Sequence, residues 1–166
     1  RKQRKYYKRI IFSNISTMLK QILSITGRPG LFKIISQGKG ILVVEELGSG
    51  KRFPAHSRDK VVSLGDISMY TESGDSPLGE ILDKVYARYE GKKIDVKKLV
   101  ADKGLRDAFV EIVEDYDRDR VYDNDIKKLF TWYNILVDNG FKEFAEKEAP
   151  SADKDDDAKS KEEDKK

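Results

Sequence analysis

Apolar runs separated by glycine-containing turns recur about every ten positions between residues 22 and 70. This pattern constrains the fold strongly, because short runs at such a spacing are typical of a small antiparallel barrel or sandwich. Residues 41–44 are apolar at four consecutive positions, which predicts a strand buried on both faces and therefore a closed barrel or a covering helix. The runs span residues 22–26, 31–37, 41–47, 51–56 and 60–70.

The second half of the chain changes to a helical period. Apolar residues return three or four positions apart from Leu78, from Leu105 and from Ile126 onward, which places them on one face of an α-helix. The pattern predicts a bundle of three to four helices within residues 75–147, and the polar residues 71–77 predict a loop before it. Helix caps are predicted at Ser76, at Asp95, at Asp102 and at Asp123 or Asn124.

The two ends of the chain differ from its middle. Residues 1–17 are basic, then briefly apolar, then polar, and the first methionine is Met18. Their apolar stretch is too short for a secretory signal or a transmembrane helix. We interpret residues 1–17 as an extension upstream of a native start at Met18; the alternative is a basic arm that contacts a membrane or nucleic acid. Residues 148–166 lack large apolar side chains, which predicts a disordered charged tail.

Composition narrows the compartment and the partners. The chain has no cysteine, which removes disulfides, thiolate catalysis and cysteine-ligated metals and favours a cytoplasmic location. The net charge is +3, but residues 1–9 contain six of the Lys and Arg residues and no acid, so the rest of the chain is slightly acidic. The overall charge therefore gives no argument for nucleic acid.

Two motifs resemble functional sites and fail on spacing or context. Residues 48–51 resemble the end of a phosphate-binding loop, but Glu45 and Arg52 occupy the positions that need Gly and Ser or Thr. His56 is the only histidine, and its sequence neighbours do not form a nucleophile, base and orienting group. A hairpin turn and a histidine at a strand end are the simpler interpretations.

A third motif resembles a calcium loop. Asp115, Asp117 and Asp119 alternate as its first ligands do, but Arg120 and Ile126 occupy the positions that need glycine and a bidentate glutamate. We interpret residues 117–120 as a salt-bridged loop between helices. The sequence therefore predicts no catalytic residue, no cofactor and no metal site.

The turns of the β region carry a set of basic and aromatic residues that can form a partner-binding rim. Small barrels bind single-stranded nucleic acid with such edges, where cations contact phosphates and aromatic rings stack on bases. The simpler alternative is that these lysines and arginines only keep the surface solvated. The candidate rim comprises Arg28, Lys39, Lys51, Arg52, Phe53, His56 and Arg58. Trp132 lies beside the apolar stripe of its helix, so it either fills the junction between the halves or anchors a partner.

Several strings over residues 18–145 resemble those of an uncharacterised family from Bacteroidetes. These strings are residues 18–33, residues 58–66, Asp119-Arg-Val-Tyr122 and Trp132-Tyr-Asn134. Members of that family pair an N-terminal SH3-like domain of unknown function with a C-terminal helical domain of unknown function. The resemblance implies this fold and a start at Met18, and it carries over no site residues.

The expected fold class is α+β. A small SH3-like antiparallel β-barrel is expected at residues 18–74 and a helical domain at 75–147. The leading functional hypothesis is a non-enzymatic cytosolic binding or adaptor module with a protein partner. The alternatives are an RNA- or ribosome-associated factor that uses the basic rim, and an enzyme with a site at the barrel–helix junction. No membrane association is expected, and the sequence does not indicate an oligomeric state.

Overall fold

The computed structural model describes residues 19–56 and 58–145, which form an antiparallel sheet, a β-hairpin and four helices. The expectations for residues 1–17 and 148–166 concern positions outside these ranges. The sheet contains β1 (Ile22–Ile25), β2 (Arg28–Gly38), β3 (Ile41–Glu46), β4 (Arg52–His56) and β5 (Val61–Ser63). The hairpin contains β6 (Ser68–Thr71) and β7 (Gly74–Pro77). The helices are α1 (Leu78–Tyr89), α2 (Val96–Ala101), α3 (Leu105–Val110) and α4 (Asp123–Asp138).

The five strands pair in the order β4-β3-β2-β1-β5, and every pair is antiparallel. Among the described residues no ladder joins β4 to β5, so the sheet is open and a closed barrel is not confirmed. Both outer strands are poor templates for closure. Pro54 lies in β4, where an edge strand tolerates it, and β5 has only three residues.

A small core fills the curved face of the sheet. It consists of Leu23, Ile25, Phe32, Val44 and Ala55. Only Val44 of the run 41–44 is fully buried, whereas Ile41 is 45% exposed, so the prediction that this strand is buried on both faces is wrong. The reason is that the helices do not cover β3; their principal contact with the sheet is between α4 and β2.

The stretch after β6 forms a strand where the sequence predicts a loop. β7 pairs with β6 from Ser68 opposite Pro77 to Thr71 opposite Gly74. Backbone hydrogen bonds then tie this hairpin to the segment before α4, since the Asp117 N–H donates to the Tyr70 carbonyl at 2.9 Å. The hairpin therefore belongs to the packing of the helical half.

The helices begin and end differently from the prediction. Asp95 caps α2 as predicted, because its carboxylate accepts the Lys98 N–H at 3.0 Å. The other predicted caps are wrong: α1 follows Pro77, α3 follows Gly104 and α4 follows Tyr122. The helix predicted from Leu105 to Tyr116 ends at Val110.

A second, larger core joins the two halves of the described chain. The sheet and its flanking turns contribute Leu19, Ile22, Leu31 and Leu64, and the rest of this cluster comes from β6, from the helices and from the segments between and after the helices. Its large, fully buried rings belong to the helical half, namely Phe109, Phe130, Tyr133 and Phe144. No helix in residues 19–56 and 58–145 is both long and apolar enough to cross a bilayer.

Candidate functional site

The cleft, as we call the opening between β6 and α4, is a concave site of the helical half. Its volume is about 240 Å³. Met69, Leu78 and Leu129 are nearly fully buried and form its apolar floor. Its polar and aromatic lining includes Tyr70, Arg120, Asp125, Lys128 and Trp132.

Arg120 is fixed over the Tyr70 ring at one side of the cleft. Its guanidinium carbon lies 4.1 Å from the ring centroid, which is within cation–π range. The Arg120 Nε donates to Asp117 Oδ2 at 2.8 Å. The hydrogen bond from Arg120 lowers the pKa of the Asp117 carboxyl, and the same bond raises the pKa of Arg120. Both groups are therefore charged at neutral pH.

The loop that carries Arg120 is anchored from two directions. Asp117 Oδ1 accepts the backbone N–H groups of Asp119 and Arg120 at 3.0 and 3.2 Å, which is a local turn made by an aspartate. Arg106 reaches the loop from α3, and its Nε donates to Asp123 Oδ1 at 2.6 Å. Its terminal nitrogens donate to two loop carbonyls at 3.2 and 3.3 Å. The salt-bridged loop predicted at residues 117–120 is confirmed.

The charged side chains around the cleft differ in how many hydrogen-bond or ion-pair partners they have. Asp125 is engaged, because its carboxylate accepts the Tyr122 N–H at 3.0 Å. Lys128 has no hydrogen-bond or ion-pair partner among the described residues. Arg120 uses its Nε for Asp117, which leaves its two terminal nitrogens for another acceptor. The site can therefore hold an apolar group that carries a negative charge.

The aromatic wall of the cleft is only partly covered. Tyr70 is 43% exposed, and Trp132 is half-buried at the edge of the core. Aromatic side chains with one apolar face and a polar end are enriched in protein interfaces. The position of Trp132 beside its helical stripe was the signal in the sequence; Tyr70, Arg120 and Lys128 gave none, because they meet only through tertiary packing.

The candidate rim is brought together only in part. Arg28, at the start of β2, places its guanidinium carbon 4.3 Å from the Phe53 ring centroid. Phe53 in turn packs edge-on against Phe32, with the ring centroids 5.3 Å apart. Arg52 forms an ion pair with Glu45 at 2.7 Å. Lys51 precedes β4 at the same end.

The remaining rim residues lie at the opposite end of β4. His56 pairs with Ile41 in the ladder, next to the β2–β3 turn that carries Lys39, and Arg58 follows His56. His56 lies four positions after Arg52, which is about 13 Å along an extended strand. The seven residues therefore form two groups at separate ends of the β3–β4 ladder.

Comparisons with known proteins match the two halves separately. A domain of unknown function, DUF5606, matches residues 19–64, and a second domain of unknown function, DUF6852, matches residues 67–136. A solution NMR structure of a structural-genomics target from Bacteroides vulgatus is 52% identical, covers 76% of this chain and 91% of its own, and superposes with a TM-score of 0.64. The chain therefore belongs to the same family as this Bacteroides vulgatus protein, a family whose two domains are of unknown function. No curated protein matches it.

Membership of the family locates the cleft within one domain. Tyr70, Arg120, Lys128 and Trp132 all fall inside the DUF6852 match at residues 67–136. The rim falls inside the DUF5606 match at residues 19–64. The two candidate surfaces therefore belong to different domains of the family.

Proposed function

We propose that this protein is a non-enzymatic, cytosolic binding module that docks a partner protein in the cleft. The observation that carries the proposal is the pair of partly exposed aromatic residues, Tyr70 and Trp132, next to Lys128, which has no ion-pair partner within the described part of the chain. An exposed aromatic wall above a buried apolar floor is the arrangement of an interface hot spot. Its volume of about 240 Å³ is below the roughly 300–1,000 Å³ that is usual for a small-molecule pocket. One side chain of a partner fits it better than a cofactor does.

The charged groups of the cleft indicate which residues flank the docked side chain in the partner. Lys128 and the terminal nitrogens of Arg120 face the opening, and Arg120 keeps its Nε on Asp117. Asp125 retains its negative charge, but its carboxylate already accepts the Tyr122 N–H. Hydrogen bonds between ionised groups are stronger than neutral ones. The expected ligand is therefore a peptide segment with an aromatic or large aliphatic side chain next to Asp or Glu.

The test uses Trp132 as its own reporter, since it is the only tryptophan in the chain. The probes are the capped peptides Gly-Glu-Phe-Glu-Gly, Gly-Gln-Phe-Gln-Gly and Gly-Glu-Gly-Glu-Gly. We expect saturable changes in tryptophan fluorescence with the first peptide and much weaker changes with the other two. Amide shifts of Tyr70, Arg120 and Lys128 in NMR spectra locate the binding.

A matched pair of charge reversals completes this test. Lys128→Glu is expected to weaken binding by about tenfold or more, because one attractive contact becomes repulsive. Lys39→Glu makes the same change of charge at the β2–β3 turn, far from the cleft, and is expected to leave binding unchanged. Equal weakening by both variants, or no response to any of the peptides, would refute docking in the cleft.

RNA binding by the β half is the second candidate function. The observation in its favour is charge, since residues 19–66 contain eight Lys and Arg against four Asp and Glu. Two contacts weigh against it, because Arg28 covers a face of Phe53 and Glu45 pairs with Arg52. A labelled oligouridine tests it by fluorescence anisotropy at low salt, where phosphate contacts are strongest. Tight binding that Lys39→Glu weakens would favour this function over the first.

Two further points support a binding module over an enzyme. The junction between sheet and helices, where an enzyme would need its site, is filled by the core around Ile22 and Leu31. The pairing of β5 with β1 also supports an SH3-like class for the open sheet, and folds of that class host many binding roles. The absence of cysteine is the reason for proposing the cytosol.

A further inference from the structure

Helix α2 is ordered without a single fully buried residue. Its six residues run from Val96 to Ala101. Val96 and Leu99 are only partly buried against the core, and Val100 is 41% exposed. Amphipathic helices are normally stabilised by burying their apolar face. One side of α2 therefore retains apolar surface that nothing in residues 19–56 and 58–145 covers.

A groove between α2 and α4 exposes this surface. It has a volume of about 600 Å³, and Ile94, Val96 and Val100 supply its apolar lining. Asn134 of α4 holds the groove in shape, because its side-chain amide donates to the Ile94 carbonyl and accepts the Ile94 N–H, both at 2.8 Å. The groove is therefore a preformed feature between two braced segments.

The groove carries positive charge on both sides. Lys97 lines it from α2 and Lys127 lines it from α4. Neither lysine has an acidic partner among the described residues. Asp95 is the acid of the lining, and its carboxylate is engaged in capping α2. An occupant with acidic side chains along its polar edge would complement these lysines.

We propose that this groove docks an acidic amphipathic helix of a partner protein. Charge complementarity and the apolar lining together define the occupant, since it needs leucine-like side chains on one face and carboxylates beside them. The chain's own residues 148–166 contain many acids but no large apolar side chain, so they cannot fill the floor of the groove.

The groove is separate from the cleft, although both use α4. Lys127, Thr131 and Asn134 face the groove, whereas Asp125, Lys128 and Trp132 face the cleft. Residues three, four or seven apart share one side of a helix, so these two sets form two stripes that flank the buried stripe of α4. No residue of α4 therefore lines both sites, which is what an adaptor with two partners requires.

The test uses a capped two-heptad peptide with leucines on one face and glutamates elsewhere, and a second peptide with glutamine in place of every glutamate. We expect the acidic peptide to shift the amide resonances of residues 94–100 and 127–134 in a saturable manner. The double variant Lys97→Glu/Lys127→Glu is expected to weaken binding by about tenfold or more, and Val100→Asp is expected to do the same.

Matched controls separate the groove from general surface effects. Lys60→Glu/Lys84→Glu makes the same change of charge at two exposed lysines outside the groove lining, and Val62→Asp makes the same polar change at a valine that is 45% exposed. Both controls should bind as the natural sequence does. The proposal is overturned by equal binding of the glutamine peptide, by shifts confined to the cleft, or by no shift at about 1 mM peptide, a concentration at which even weak binding is seen.

Discussion

Asp117 organises the loop that places Arg120 over Tyr70. One carboxylate oxygen accepts two backbone N–H groups and the other accepts the Arg120 Nε. The pKa of this carboxyl is lowered from its ordinary value of 3.8, first by the hydrogen bond from Arg120. The charge on Asp117 therefore contributes to the folded state, and it also sets the geometry of one wall of the cleft.

Asp117→Asn is expected to make the free energy of unfolding depend less on pH at acidic pH. Because the folded-state pKa is lowered, the stabilisation is complete above the unfolded value near 3.8 and disappears as the pH falls through the folded value. The free energy of unfolding of the natural sequence should fall between the unfolded and folded pKa values of Asp117. That of the variant should be lower at neutral pH and should fall less over the same pH range. Urea unfolding between about pH 7 and pH 2, followed by tryptophan fluorescence, measures both slopes.

The control for this variant is Asp119→Asn in the same loop. Asp119 contributes only its backbone N–H to the loop contacts described above, so its replacement should leave the pH dependence at acidic pH unchanged. If the two variants lose the same acid-dependent stabilisation, the depressed pKa of Asp117 is not its source.

Sequence reasoning at the residue scale succeeds where the signal is local. The off-stripe position of Trp132 and the alternating charges of residues 117–120 are both visible in a short window. Tyr70 and Arg120 are far apart in sequence and meet only because the hairpin packs against the loop. A contact of that kind leaves no local pattern, so the cleft could not be predicted.

At the scale of elements, α1 is covered by the segment that follows α4. The backbone N–H groups of Phe144 and Ala145 donate to the Asp83 carboxylate at 2.8 and 2.9 Å. A β-carbon on Gly79 would lie 2.5 Å from the Phe144 carbonyl oxygen. Glycine at this position therefore permits the close approach of two backbones.

Gly79→Ala is expected to destabilise the protein despite its favourable helix propensity. Alanine gains about 1 kcal/mol over glycine within a helix, but the new methyl group meets backbone atoms that can give way only by moving residues 141–145. We expect a lower melting temperature and faster amide exchange at Phe144. Thermal unfolding by circular dichroism and NMR exchange measure the two effects.

Gly38→Ala is the matched control, because its β-carbon would find its nearest neighbour, the Ile41 carbonyl oxygen, at 4.0 Å. It should change the melting temperature little. A rise in melting temperature on Gly79→Ala would mean that residues 141–145 move aside without loss of stability.

The helices with a long apolar stripe at helical spacing could be predicted from the sequence. The elements that depend on tertiary contacts could not. α1 and α4 carry long amphipathic stripes, which is why they follow from the sequence. Residues 111–116 continue the stripe but leave the helix, since Tyr116 forms a bridge with Thr71 and the Asp115 carbonyl accepts the Glu72 N–H at 2.8 Å. β7 has the composition of a loop, and its pairing with β6 outweighs that preference.

At the scale of the whole molecule, one core spans both family domains. Leu19, Ile22, Leu31 and Leu64 come from the DUF5606 match and pack in the same cluster as the helices of the DUF6852 match. Three of these four side chains are no more than 1% exposed. The sequence predicted two halves in the correct order, but no local pattern indicates that their apolar faces meet.

Separate expression of residues 18–66 and 67–147 tests this continuity. Neither fragment should fold alone, because each would expose apolar side chains that the other covers. Mixing the two fragments should restore the circular dichroism and the dispersed NMR spectrum of the intact chain. A well-dispersed spectrum of fragment 67–147 by itself, with a melting temperature like that of the intact chain, would show that the two halves fold independently.

The continuous core also has an evolutionary consequence. A gene fusion that moved only one of the two domains into a new protein would leave that domain with an exposed apolar surface. Chaperones would bind such a product and proteases would degrade it. We expect selection to keep both domains next to each other in one reading frame, so that the pair is inherited as a unit.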